Sequence, residues 1–280
     1  APALFITDVS AELAQLARIA SVPHLCILQH GDRSDPGHRA AYAGAVGLLA
    51  PYSPALECPE RPEWMTAKTI YAGGIGVDVS LIGPKDSARR KLGLSEDTEL
   101  VVVLGGGGGN GLPSAPLTLG ARGEPETSWV TLGKMQGEWH ETPPANLRHL
   151  GWVDNAEDWI SAADRIVSSC GNTTVHMVAN AAKPWVVVPE WRYFSEQLRK
   201  AEALDRAGAA AMAHHWPGNA ENWKTLWSRA SAVDPARQSG LVQTDAAHHA
   251  AASVEALIER VWKPASPAAE THDRVEKDAA

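Results

Sequence analysis

Residues 164–197 read DRIVSSCGNTTVHMVANAAKPWVVVPEWRYFSEQ, and this stretch decides the fold. Arg165-Ile166-Val167 is a short apolar strand that runs into a turn of small residues, Ser168-Ser169-Cys170-Gly171. Asn172-Thr173-Thr174 opens a helix, and Lys183-Pro184 ends it, because proline cannot continue the ladder. Trp185 to Val188 is a second buried strand, and Pro189 to Gln197 is a polar loop. Strand, turn, capped helix and strand make one βαβ unit, whose loops lie at the carboxyl ends of parallel strands, where open α/β sheets bind ligands. The unpaired amides at the start of the Asn172 helix suit an anion such as a diphosphate.

Upstream, the spacing predicts a strand over 98–104, directly followed by Gly105 to Gly109. Strands are expected at 129–132 and around 150–153, with Asp154-Asn155 capping a helix through Ala163. Downstream, a helix is expected over 197–207, a short strand at 209–213, and helices over 219–230 and 244–262. Nearer the start, 3–8 reads as a strand, Ser10 caps a helix through about Ala20, and 24–29 is a strand ending in the polar loop His30-Gly31-Asp32-Arg33. A short helix at 36–43 and a strand at 46–50 follow, then a loop at 51–68 and a strand leading into a crossing at 69–77. Residues 84–93 are basic and polar, as linkers often are. Alternating strands and helices predict parallel sheets covered on both faces. The expected units are 1–78, which reads as the second half of a doubly wound domain, 79–263 as a complete one, and 264–280 as a frayed tail of Ala, Pro and charge. The first unit lacks obvious first strands and a first glycine loop. It reads as a fragment of a longer domain or as a small subdomain.

The 280 residues are 44% hydrophobic and 21% charged, an ordinary soluble composition. A net charge of −8 argues against a nucleic-acid binder. It leaves any phosphate site to local amides and helix ends. Cys26, Cys58 and Cys170 are too far apart in sequence to show a metal-binding pattern, and a reducing, cytoplasmic setting is the default. No apolar run reaches transmembrane length. Eleven Trp against two Phe is unusual and points to no function by itself.

Candidate site residues cluster at strand ends. The run VVVLGGGGGNG lets backbone approach a ligand, although Pro113, Ser114 and Pro116 interrupt the helix a dinucleotide fingerprint needs, and no Gly-Lys-Ser/Thr follows. A flexible surface loop is the plainer alternative. Ser169, Gly171, Asn172, Thr173 and Thr174 offer hydroxyls and amides at one helix start, where ordinary capping needs only one. Glu190, Glu196 and Gln197 follow the next strand and could bind sugar hydroxyls, or simply solvate a helix start. His30, near Asp32, could serve as a general base or be structural.

With these residues in place, HLGWVDNAEDWISAADRIVSSCGNTTVHMVANAAKPWVVVPE, followed by FSEQ and AGAA, resembles the nucleotide-sugar half of a GT-B glycosyltransferase. It is similar to the group containing the peptidoglycan N-acetylglucosaminyl transferase (glycosyltransferase family 28, C-terminal domain) and to related sugar transferases, over about 98–217. The resemblance implies two Rossmann-like domains, the first incomplete here. The implied reaction is inverting, metal-independent transfer of a sugar from a nucleotide-diphosphate donor, a UDP-sugar, to an acceptor hydroxyl. The donor is a substrate, and no separate cofactor is called for. By the same resemblance, Ser169, Gly171, Asn172, Thr173 and Thr174 meet the diphosphate, and the backbone at Trp152-Val153 reads the base. Glu196-Gln197 meets the donor sugar, with Glu190 in the same cleft, and Gly106, Gly107 and Gly108 lie near the phosphates. His30 is then the candidate base. The family often holds the ribose with a Glu, but Met177 stands there, so His176 is expected to substitute or the nucleotide to sit differently. A cytoplasmic protein without a membrane span is implied, with room for peripheral membrane contact to reach a lipid acceptor. A sugar-nucleotide hydrolase or epimerase on the same fold, or a non-catalytic nucleotide-sugar-binding remnant, are the competing readings.

Overall fold

A computed structural model describes residues 2–107, 109–136 and 142–263. Gly108 and the expected tail at 264–280 lie outside the described residues. Strands β1 (Phe5–Asp8), β2 (His24–Ile27), β3 (Gly47–Ala50) and β4 (Thr69–Tyr71) form a parallel sheet in that order. Helices α1 (Ala11–Ile19), α2 (Pro36–Gly44) and the short α3 (Glu63–Thr66) connect them. Ser10 caps α1 by accepting from the Leu13 amide, and Asp35 caps α2 by accepting from the His38 amide.

The expected linker at 84–93 is instead a helix, α4 (Lys85–Leu92). Its charge is distributed as a helix requires, with Asp86 in the first turn and Arg89, Arg90 and Lys91 in the last. Gly93, at φ 66°, terminates it in the left-handed conformation. Arg89 is buried and donates to the Ala162 carbonyl and the Asp164 carboxylate. The polar segment is thus a helix fastened to the second unit through Ala162 and Asp164.

The second sheet contains β5 (Leu100–Leu104), β6 (Ser128–Leu132), β7 (Leu147–Gly151), β8 (Arg165–Ser168), β9 (Trp185–Val187) and β10 (Ala211–Met212). Its spatial order is β10-β9-β8-β5-β6-β7, parallel throughout. The chain therefore starts in the middle, builds outward to β7, and returns to the other side of β5. That reversal opens a crevice at the carboxyl ends of β5 and β8, where the glycine run and the Ser169 turn begin. Helices α5 (Ser114–Gly123), α6 (Ala156–Ala162), α7 (Asn172–Ala181), α8 (Glu196–Arg206), α9 (Ala220–Ser231) and α10 (Pro235–Ser239) accompany this sheet, and α11 (Ala246–Trp262) ends the described chain. Pro113 and Pro116 do not prevent α5. They fall at its cap and first turn, where no intrahelical donor is lost.

The β5 strand, LVVVL, is buried along its whole length, as a central parallel strand should be. Several tryptophans fill the places usually left to phenylalanine. Trp129 of β6 meets Trp223 of α9 edge-on at 5.2 Å between ring centres, and Trp223 stacks on Trp227. Helix α11 packs back on the first sheet, with Leu257 and Ala250 against Leu25 and Leu49. The expected 79–263 unit thus lends its last helix to the first sheet. At the β1 edge the covering is thinner. Ile6, Val9, Leu13, Leu16 and Ile19 are exposed, Ile19 at 80%.

Candidate nucleotide-sugar site

A cavity of about 180 Å³ opens at the crevice between β5 and the start of α7. Its walls bring together Gly106 and Gly107 after β5, Trp152 and Val153 after β7, and Thr174 on the first turn of α7. These five positions come from three separate strand ends that the sheet order makes neighbours. The glycines are needed for close approach. A side chain on Gly106 would stand 3.2 Å from Ser169 Oγ, and one on Gly109 would collide with the Glu190 carboxylate. Trp152 is 67% exposed, with its indole over Gly107.

The α7 start is built without a side-chain cap. Gly171 occupies the cap position in extended backbone and accepts from the Val175 amide, which leaves the first-turn amides of Asn172, Thr173 and Thr174 without partners in the helix. Ser169 is buried, and its hydroxyl has no hydrogen-bond partner. Thr173 points to solvent. Asn172 faces the other sheet, donating to Gln29 Oε1 at 3.0 Å, and its Oδ1 accepts from Lys200 Nζ.

Other expected contacts are placed differently. Gln197 is buried, and its Oε1 accepts from the Cys170 and Glu190 amides at 3.0 and 2.9 Å. It splints the loops after β8 and β9 rather than opening on the cavity. Glu196 reaches across to Arg33 of the first sheet at 3.3 Å. Glu190 is held by Arg192 at 2.7 Å and packs on the glycine run. His176 does not replace the missing ribose carboxylate. It is buried on the inner side of α7, where burial and then the Lys200 charge push it down to about 4. Met177 instead lines the cavity, an apolar wall that accepts no strong hydrogen bond.

His30 lies in the interior of the first unit. It is fully buried, donates from Nε2 to the Leu56 carbonyl at 2.9 Å, and packs on Tyr52 at 4.1 Å between ring centres. Burial, followed by the Lys200 charge, holds it well below the usual histidine range. The β3 loop, through Leu56 and Tyr52, covers the ring.

Sequence reasoning missed Lys200, although a signal was present. Gln197, Ala201 and Leu204 are buried on one stripe of α8, and Lys200 falls on that stripe at helical spacing. It is 1% exposed. The loop before α8 is also set by the first sheet. Phe194 and Ser195 take left-handed backbone at φ 59° and 55°, and the Asp32 amide donates to the Phe194 carbonyl while Arg33 stacks on its ring. Among the described residues no group of three or more His, Cys, Asp or Glu is placed to hold a metal ion, and no helix is long and apolar enough to cross a membrane.

No family model matches the chain. A curated relative, the UDP-N-acetylglucosamine–N-acetylmuramyl-(pentapeptide) pyrophosphoryl-undecaprenol N-acetylglucosamine transferase of Acetivibrio thermocellus, is 25% identical over 156 residues, 52% of this chain and 42% of the relative. The match therefore spans under half of that protein. Among solved structures, the glycotransferase of kitacinnamycin superposes with a TM-score of 0.64 at 18% identity, over 91% of this chain and 76% of its own. The UDP-GlcNAc 2-epimerase of Neisseria meningitidis, bound to UDP-GlcNAc, superposes at 0.58 and 12% identity over 91% and 76%. Two parallel sheets, the second with its reversal at β5, and these likenesses agree: the chain has the GT-B glycosyltransferase fold.

Proposed function

We propose that this chain carries the donor side of a glycosyltransferase, which moves a sugar from a UDP-sugar to an acceptor hydroxyl with inversion and without an essential metal. The observation that carries this reading is the cavity joining Gly106, Gly107, Trp152, Val153 and Thr174 beside the uncapped start of α7. The nucleoside lies between the glycine turn and Trp152-Val153, with Met177 as an apolar wall. The diphosphate meets the amides of Asn172, Thr173 and Thr174 and the hydroxyls of Thr174 and Ser169. As the glycosidic bond to the leaving diphosphate breaks, those fixed dipoles stabilise the negative charge that builds there. The acceptor enters from the four-stranded side, across the Gln29–Asn172 contact. The protein works at the cytoplasmic face, with peripheral contact to a membrane when its acceptor is a lipid.

An epimerase is the second reading. What supports it is that His30, the expected acceptor base, is buried, and that a UDP-GlcNAc epimerase superposes on this chain. Calorimetry with UDP and with thymidine diphosphate tests the donor site, and silence with both overturns either reading. Product analysis after incubation with UDP-GlcNAc and a panel of acceptors separates them. A new glycoside supports transfer, whereas a 2-epimer with no glycoside supports the alternative.

A further inference from the structure

We propose that Lys200 is the resident counter-charge of the phosphate site, a buried ammonium kept beneath the first turn of α7 to draw an anion onto Gly171–Thr174. The inference rests on the donor-site reading above and adds a residue to it. Lys200 is 1% exposed, yet among the described residues no carboxylate forms an ion pair with it. Its hydrogen bond goes to the neutral Asn172 Oδ1. The nearest acid in its field, Glu196, is already held by Arg33. The Cys170 thiol alongside is kept protonated by burial, its pKa pushed up to about 12. His30 and His176, also within its field, are held neutral by burial near pH 7.

Burial lowers the Lys200 pKa from the usual lysine range, because it strips hydration that an unpaired ammonium does not regain, and an arriving anion would raise it again. Here the neighbouring helix end has the same sign. The amino terminus of α7 carries partial positive charge, and Asn172 at its first position is the group that Lys200 touches. Two positive sources converging on one turn repel each other until an anion lies between them and solvent. A second observation points to the same place. The Ser169 hydroxyl, 4% exposed and without a partner, sits 3.2 Å from where a Gly106 side chain would begin, so it faces the gap between the glycine turn and α7. A buried hydroxyl left unsatisfied at the glycine turn, and a buried amine held on Asn172 at the same helix start, fit a phosphate-bearing ligand. Lys200 does not reach the reacting atoms. It acts through charge and through Asn172, as a positioning residue.

The test compares the full chain with Lys200→Met, a substitution of similar volume without the charge, using UDP, uridine and inorganic pyrophosphate as probes. Binding of UDP and pyrophosphate should weaken tenfold or more, uridine binding should stay within twofold, and the unliganded variant should melt no lower than the parent. A variant that binds UDP as the parent does overturns the role of Lys200 and spares the donor site. Equal losses for uridine and UDP, or a lowered melting point, make the lysine merely structural. Should Lys200→Met fail to fold, Asn172→Asp sets a carboxylate on the same ammonium. It should raise the melting point and weaken pyrophosphate at least tenfold, and unchanged pyrophosphate affinity overturns the inference. A parent chain that binds neither UDP nor pyrophosphate overturns both this inference and the donor-site reading. Binding of pyrophosphate without any gain from the nucleoside breaks only the nucleotide reading.

Discussion

The two sheets run their strands differently, and the contrast locates the chemistry. The four-stranded sheet proceeds β1-β2-β3-β4 without turning back, whereas the six-stranded sheet reverses at β5. At the reversal, two loops diverge to opposite faces and leave a crevice that backbone alone cannot fill. Uncapped amides and, among the described residues, a partnerless serine hydroxyl gather there. His30 at the end of β2 is sealed by Leu56 and Tyr52 from the β3 loop. Polar residues at a strand end are thus ambiguous until the strand's neighbours are known.

Four measurements probe this contrast. Gly171→Asp places a carboxylate at the proposed phosphate contact, the start of α7. An added Cβ there meets only Thr174 Oγ1 at 3.8 Å, so the fold should survive. UDP affinity should fall more than a hundredfold, about 3 kcal/mol for like charges at a partly screened site, and a smaller loss in calorimetry would break the assignment of the crevice. Acid sensitivity comes next. His176 titrates near 6.5 when unfolded and about 4 when folded, so the unfolded chain binds the extra proton in that window. Stability is complete above pH 6.5 and falls as pH drops toward 4, by at most about 3 kcal/mol from this group. Melting curves of His176→Leu should be flatter over that range, and an unchanged slope would remove His176 as the cause.

The third measurement addresses the progressive sheet. His30→Gln should cost about 2 kcal/mol of stability through a lost buried hydrogen bond and poorer packing. UDP binding should be unaltered, and a pH–rate profile that loses its acidic limb in this variant would mark His30 as a base. The mildest effect belongs to Thr174→Ala, whose missing hydroxyl should weaken UDP binding roughly fivefold, about 1 kcal/mol. If affinity is unchanged, the first turn of α7 is not the phosphate contact.

Much of the fold is readable in the residues. The buried run of β5, the Ser169–Thr174 turn and the β8-α7-β9 unit are local patterns with a single period, and the structure places them within a few residues of expectation. The family resemblance already brings Trp152 and Gly106 to one pocket. The misreadings share one cause, which is that solvent exposure is a tertiary property. Nothing local distinguishes Gln197, turned inward to hold two amides, from a glutamine facing a sugar. The 84–93 helix carries local signals, Asp86 first, basic residues last and Gly93 at its end, but its burial through Arg89 on Asp164, 75 residues away, is not local. Lys200 was hidden because lysine ordinarily marks a helix's wet side.

The thin covering over β1 has a practical consequence. Among the described residues, Ile6, Val9, Leu13, Leu16 and Ile19 border β1 as an apolar strip that another extended segment can cover. Light scattering from this chain should therefore grow with concentration, and a charged replacement such as Ile19→Lys should keep it clear.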